Sequence, residues 1–481
     1  MNHVLTIILL LPLAALALTL VAPRGGHTWI RWVNAALSLA SVVLSLVVWF
    51  GYDTAKGGYQ FAETMPWIPS FGIHYSVAVD GVSVVLGTLT ALVFFTGVLS
   101  MWSLEKRVKE YFAFMAALVF GVFGVFYSLD LFAFFFFYEV AVLPMYPLIA
   151  IWGSTRKEYS AMKLTIYLML GSALLFPSLI ALYWGAGAGT WDVRAIIASG
   201  AFSRDTQIFL YPFLYLGFGV LAGMFPFHGW SPTGHVAAPT AVSMLHAGVL
   251  MKLGAFGIFR IAIPCLPEGA AYWAPTFAVL ATIGIVYGAF VAMRQTDFKY
   301  VIGFSSVSHM GIVLLGLNTM TAAGSDGAVF QMFAHGVMTA LFFSAVGFIY
   351  DQTHDRDIRH FGGLLSQVPV AASMFLVAGL CGIGVPGFAS FWAEFLVFVA
   401  AIQTYPVLGI IAVAGLVFTA AYMLRVFGKA MLGPRNDKWK HLVDASGFAV
   451  LPRAILVATL LFFGFFPNFI LDLIRASAGA K

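Results

Sequence analysis

Hydrophobic residues run through this chain in blocks of about 20, long enough to cross a bilayer as helices, with short polar breaks between them. The blocks fall near residues 3–22, 28–50, 80–101, 111–129, 131–152, 160–184, 206–226, 238–262, 270–293, 298–317, 328–350, 367–402, 406–428 and 454–474. They predict an all-α polytopic membrane protein with about fourteen transmembrane helices. The faintest boundary is the three-residue break from Ser128 to Asp130. The first block has no Lys or Arg ahead of it and meets its first positive charge, Arg24, afterwards. A signal peptide has the reverse order, so this block reads as the first span.

Two blocks are interrupted. In "LGFGVLAGMFPFHGWSP" the breaks are Gly217, Gly219, Gly223 and Pro226; in "GLCGIGVPGFASFWAEF" they are Gly382, Gly384, Pro386 and Gly387. These are the seventh and twelfth spans, five helices apart. Five is odd, so equivalent five-helix units would cross the membrane in opposite senses. Paired broken spans in inverted halves mark an ion path in many transporters; glycines that serve only helix packing are the plainer alternative. The domain reading is 1–110 for helices 1–3, 111–262 for the first inverted repeat and 263–430 for the second. Residues 431–481 are left for a cytoplasmic loop and helix 14.

Composition agrees with a membrane protein: 61% of residues are hydrophobic and 9% charged, against roughly 25% charged in soluble domains. The net charge of +5 suits anionic lipid and gives no argument for nucleic acid. Positive charges gather after odd-numbered spans: Arg24, Arg31, the "EKRVKE" cluster, Arg156, Lys157, Arg294, Lys299, Arg356, Arg359 and the run from Arg425 to Arg453. After even-numbered spans and in the tail stand Lys56, Arg194, Arg204, Arg260, Arg475 and Lys481. The positive-inside rule then puts both termini on the outer face. Cys265 and Cys381 stand alone, which excludes a cysteine-held iron–sulfur cluster. The "GAGAG" at 185–189 reads as a loop leaving the membrane, not as a dinucleotide fingerprint.

The ionisable residues inside the blocks carry the candidate chemistry, because a charge at the centre of a spanning helix costs roughly 2.5–3.5 kcal/mol on insertion scales. Glu139 sits in "FFFFYEVAVLPMYPLIAIWG", Lys252 in "SMLHAGVLMKLGAFGIFR" and Glu394 in "SFWAEFLVF". Gly248, one turn before Lys252, leaves room beside the ammonium. Lys163 and Lys299 lie nearer their helix ends, where a lysine can snorkel. His228, His235 and His246 flank spans seven and eight, and His309 and His335 lie inside spans ten and eleven. Histidine titrates near pH 6.5 and can pass protons. None of the spacings is that of a metal site, so no metal is expected.

Several segments together resemble the antiporter-like membrane subunits of proton-pumping NADH:quinone oxidoreductase, complex I, and most of all its subunit M. They are "VAVDGVSVVLGTLT", "FFFFYEVAVLPMYPLIAIWG", "FPFHGWSPTGHVAAPTAVSMLHAGVLMKLGAFGIFR", "RQTDFKYVIGFSSVSHMGIVLLGL", "FAHGVMTALFFSAVGFIYDQTHDRDIRHFGGL" and "GVPGFASFWAEF". The L and N subunits fit less well; an L-type chain would carry a long lateral helix after its last span. The resemblance implies fourteen helices with inverted repeats over spans 4–8 and 9–13. It also implies proton-transfer roles for Glu139, Lys163, Lys252 and Glu394, with His309 and His335 along a central axis. His228, His235 and His246 would be relays, and Lys299 a weaker candidate. No redox cofactor is expected in this chain; NADH, FMN, iron–sulfur clusters and quinone would belong to partner subunits. The partners implied are L- and N-type neighbours and lipid, in a bacterial inner membrane.

One departure stands out. Family members carry a lysine seven residues before the His of P-x-H-x-W, and here that position is Leu221. Without the cation, Glu139 loses its ion-pair partner, and desolvation favours the neutral acid. The path would then run through Lys163, Lys252 and the histidines. The alternatives are an Mrp-type cation/proton antiporter subunit, a membrane-bound hydrogenase or formate-linked complex, and a non-conducting scaffold of the membrane arm.

Overall fold

The computed structural model describes residues 3–23 and 25–477. Arg24, Lys481 and the extreme termini, used above for orientation, lie outside the described residues. Among the described residues thirteen helices are long and apolar enough to span a membrane: Val4–Val21, His27–Gly51, Gly81–Ser100, Val108–Tyr127, Leu131–Trp152, Lys157–Ala186, Arg204–Ala237, Thr240–Cys265, Pro267–Arg294, Phe298–Asn318, Ala322–Thr353, Pro406–Met431 and Gly447–Phe465. Two shorter apolar helices, Pro369–Ile383 and Ala389–Thr404, are the halves of the broken twelfth span. The chain is thus a fourteen-span helical membrane protein, with spans numbered here in chain order.

The ends of the expected blocks move in two places. Span fourteen stops at Phe465, ahead of Pro467, and Asn468–Ala476 is a separate short helix. That helix closes over the start of span three, where Val82 N donates to Ser477 Oγ at 2.9 Å. The break between the second and third blocks, residues 51–79, carries an antiparallel hairpin of strands Gln60–Ile68 and Ile73–Val79.

The inversion is visible in matching local chemistry. Asp130 and Asp297 each cap the helix that follows, accepting from Phe132 and Ala133 N in one case and from Lys299 and Tyr300 N in the other. Each pairs with a second aspartate through one short antiparallel bridge, Asp130 with Asp192 and Asp297 with Asp357. The flanking bonds agree as well. Leu131 N donates to Trp191 O and Val193 N to Leu129 O; Phe298 N donates to Arg356 O and Ile358 N to Thr296 O. In both clasps an arginine two residues on grips the second aspartate, Arg194 on Asp192 at 2.5 Å and Arg359 on Asp357 at 2.6 Å. Because spans alternate in direction, the two clasps sit at opposite ends of the bundle. The broken spans match too: Gly223 (φ +74°) and Gly384 (φ +76°) end the first halves in left-handed conformation, which glycine adopts without a Cβ penalty.

Arg260, counted above with the loops, is in fact buried within span eight. Its guanidinium lies 2.5 Å from Asp80, which also caps span three through Ser83 N, and 2.8 Å from the Tyr59 hydroxyl. A lone arginine near a helix end looks like a loop residue in sequence; its partner is far away in the chain. Removing one member of such a pair strands a buried charge at a cost of about 3–5 kcal/mol. Arg260→Ala is therefore expected to lower the thermal stability of the detergent-solubilised protein sharply. The double variant Arg260→Gln with Asp80→Asn should recover part of that loss.

Outside the membrane, the bonds from Arg359 hold the Asp357 carboxyl down at about 2, below its usual 3.8. A lowered carboxylate contributes stability in full above its unfolded value and loses it as pH falls through the folded one. Limited proteolysis of the 354–363 connection should accordingly stay constant from about pH 8 to 5 and rise only below about pH 4.

Candidate functional site: a buried polar axis

Span eight carries Lys252 and is not a regular helix. Two π-helical turns, His246–Leu250 and Ile258–Ala262, lie on either side of it, the kind of distortion that clusters at functional sites. Small residues bring span eleven against it. A Cβ at Gly248 would lie 3.2 Å from Gly336 O, and one at Gly336 2.6 Å from Gly248 O. Only glycine permits that approach, and it places His335, the residue before Gly336, beside Lys252.

The result is a chain of contacts through fully buried side chains. Lys252 Nζ lies 2.7 Å from His335 Nδ1 and also bonds Ala247 O. The rings of His335 and His309 are 5.4 Å apart, centre to centre. His309 Nδ1 lies 3.3 Å from Glu394 Oε1, and the Gln331 amide nitrogen lies 3.2 Å from both of those atoms. Lysine has only donors, so His335 Nδ1 accepts when Lys252 is charged. Beyond these bonds, His309 Nε2, His335 Nε2, Gln331 Oε1 and Glu394 Oε2 are buried with no protein partner.

A second group precedes Lys252. His235 and His246 rings are 4.2 Å apart, and Ser231 Oγ lies 3.0 Å from His235 Nε2. Lys299, expected near the membrane face, is buried and donates to Ala238 O at 2.7 Å.

Three candidates are not gathered into the axis. His228 sits in the break of span seven, stacked on Phe225 and set against Tyr287. Lys163 is half-buried beneath Gly229, where a Cβ would meet its Nζ at 3.6 Å and the Tyr167 hydroxyl at 3.7 Å. Glu139 is half-buried on span five and accepts a hydrogen bond from Ser172 Oγ at 2.5 Å. Lys163 and Ser172 are half a helical turn out of phase on span six at 3.6 residues per turn, so Lys163 faces away from the Ser172–Glu139 contact. Leu221 is fully buried. Gln331 was invisible to the charge-based reading; its signal is a lone amide in an otherwise apolar stretch, four residues before His335.

A buried lysine, paired histidines and a glutamate between broken, inverted helices define an ion-translocating membrane protein of the antiporter-like class. The chain belongs to the family described as NADH:quinone oxidoreductase/Mrp antiporter, TM, which it matches over residues 128–419. It is 35% identical to NADH-quinone oxidoreductase subunit M of Rhodobacter capsulatus, covering 99% of this chain and 96% of that protein. With NADH-ubiquinone oxidoreductase chain 4 of Chondrus crispus it shares 31% identity over 98% and 95%. Among solved structures, a chain of respiratory complex I from Thermus thermophilus with bound NADH superposes with a TM-score of 0.91 at 26% identity, over 99% of both chains. A chain of the Mrp complex from a Dietzia species shares the fold, with a TM-score of 0.86 at 20% identity over 99% of this chain and 96% of that one. Such chains are parts of multi-subunit membrane complexes.

The glycine contact is the most exposed to perturbation. Gly336→Ala would press a methyl against Gly248 O and against Leu89, 2.7 Å away. A loss of about 1–3 kcal/mol is expected, as for other overpacked contacts, read as a lower unfolding temperature in detergent.

Proposed function

We propose that this chain is a proton-translocating membrane subunit of a complex I type NADH:quinone oxidoreductase, driven by quinone reduction in partner subunits. Moving one charge against the membrane potential costs roughly 2.3 kcal/mol per 100 mV, and no residue set in this chain points to a redox or hydrolytic reaction of its own. NADH, FMN, iron–sulfur clusters and quinone are assigned to those partners. The neighbours are L- and N-type subunits and lipid, in a bacterial inner membrane with both termini outside.

The observation that carries this reading is the contact series from Lys252 through His335 and His309 to Glu394. Lys252 hands a proton to His335 Nδ1, the side chain it bonds; the ring nitrogens of His335 and His309 that have no partner among the described residues continue the path; Glu394 receives it. His235, His246 and Lys299 feed the axis from the other end of span eight. Glu139, held by a hydroxyl rather than a cation, serves as a single-proton site in this scheme, so the Lys252–Glu394 series carries the larger share of transfer. An Mrp-type antiporter subunit is the runner-up, supported by the shared fold; a pure scaffold is disfavoured by four aligned ionisable groups that a structural role does not need.

Lys252→Met keeps the length and removes the proton carrier. Membranes holding the assembled complex with this variant are expected to lose most proton translocation per electron transferred, measured by dye quenching alongside NADH oxidation. An unchanged ratio would overturn the proposal.

A further inference from the structure

Gln331 stands where the last two titratable groups of the axis, His309 and Glu394, meet. It is fully buried on span eleven, and its amide nitrogen stands 3.2 Å from His309 Nδ1 and 3.2 Å from Glu394 Oε1, while those two atoms are 3.3 Å apart. The three polar atoms form a near-equilateral triangle. An amide nitrogen has two hydrogens and no acceptor capacity. Both corners it faces must therefore be acceptors: an unprotonated Nδ1 and a carboxyl oxygen. Among the described residues the Gln331 carbonyl oxygen and Glu394 Oε2 are buried without partners, so no second bond there fixes this amide.

We propose that Gln331 is a positioning residue that biases the last proton transfer of the axis toward Glu394. The inference rests on the proton-translocation reading above. Before transfer, His309 carries its proton on Nδ1, facing Glu394 Oε1, and Gln331 bonds the carboxylate alone. A proton arriving from the His335 side binds the open Nε2 and converts His309 to imidazolium. Nδ1–H still faces Glu394 Oε1. Transfer breaks that N–H bond and forms an O–H bond on Glu394, so imidazolium and carboxylate become imidazole and carboxylic acid. The Gln331 N–H then bonds the bare Nδ1. Because it bonds only the neutral ring, Gln331 favours the state in which the proton has moved on. The nearby polar groups among the described residues are engaged elsewhere: Cys381 and Ser390 bond one another, and Tyr422 is tied to Ser305 at 2.6 Å.

The test uses the assembled complex in native membranes. Gln331→Met keeps the shape and removes the donor; Gln331→Asn keeps the amide but withdraws it by one methylene. The Glu394 carboxylic acid band is identified by infrared difference spectroscopy as the band lost in Glu394→Gln. Both Gln331 variants are expected to slow proton translocation roughly tenfold, the scale of one hydrogen bond to a charged group. Both should also shift or weaken the Glu394 band, which a merely structural role would not do. If Gln331→Met does not assemble, the band and rate of Gln331→Asn decide. Wild-type translocation and an unmoved band in whichever variant assembles would overturn the inference while leaving the axis intact, provided Glu394→Gln is inactive. Wild-type translocation in Glu394→Gln would overturn the axis itself.

Discussion

Everything in this structure answers to one constraint: a polar group in hydrocarbon has no water to turn to and must find its partners in the protein. Lys252 shows how far the constraint reaches. Its ammonium is fully buried in the middle of a span, and its bonds go to His335 and a backbone carbonyl of its own helix. To put His335 within reach, spans eight and eleven must touch backbone to backbone, and that requires Gly248 and Gly336. The π-helical turns on either side of Lys252 are further deformations of the same span. One charge thus dictates the residues, the packing and the irregularity of two helices.

The same constraint explains why the halves are alike in frame and unlike in chemistry. In each repeat an aspartate after the first span caps the second span and bridges to another aspartate gripped by arginine. Those clasps lie at span ends, where exposed charges pair at little cost, and they are retained in both halves. Inside the membrane the halves diverge. Glu394 of the second ends a connected series that begins at Lys252, whereas Glu139 of the first turns to the Ser172 hydroxyl. A hydroxyl satisfies a neutral carboxyl well and an isolated carboxylate poorly, so the two glutamates differ in what they can do within a shared frame.

What sequence reading could and could not see follows the range of each interaction. Spans and helix breaks are local, since they depend on composition within about 20 residues, and "GLCGIGVPGFASFWAEF" or "RQTDFKYVIGF" announces its own structure. Candidate proton carriers are nearly local, because charge inside an apolar block needs no partner to be noticed. Pairings are not local. Arg260 reads as a loop residue until Asp80, 180 positions earlier, is seen beside it. Gln331 carries no charge and so escapes a search for ionisable groups, although it touches two of them. Nor does hydropathy separate span fourteen from the amphipathic helix after Pro467; only the backbone turn between Phe465 and Asn468 does.

The division of labour among the cations follows from the same physics. Arginine does not give up its proton at any accessible pH, and the buried arginines here sit in fixed bonds. Arg260 is on Asp80, Arg356 reaches Asp297 and the Val236 carbonyl, and Arg453 reaches the Ser344 carbonyl. These are permanent charges, neutralised or solvated by oxygen, and they tie distant spans together. Along the axis the residues are lysine and histidine, which exist in two protonation states and gain or lose a partner as they change. A guanidinium at position 252 would hold its proton and stop the series. A lysine at 260 would lose the forked contact that meets Asp80, Tyr59 and Ser83 at once. The chemistry of each cation therefore separates the groups that hold this protein together from the groups that can move a proton through it.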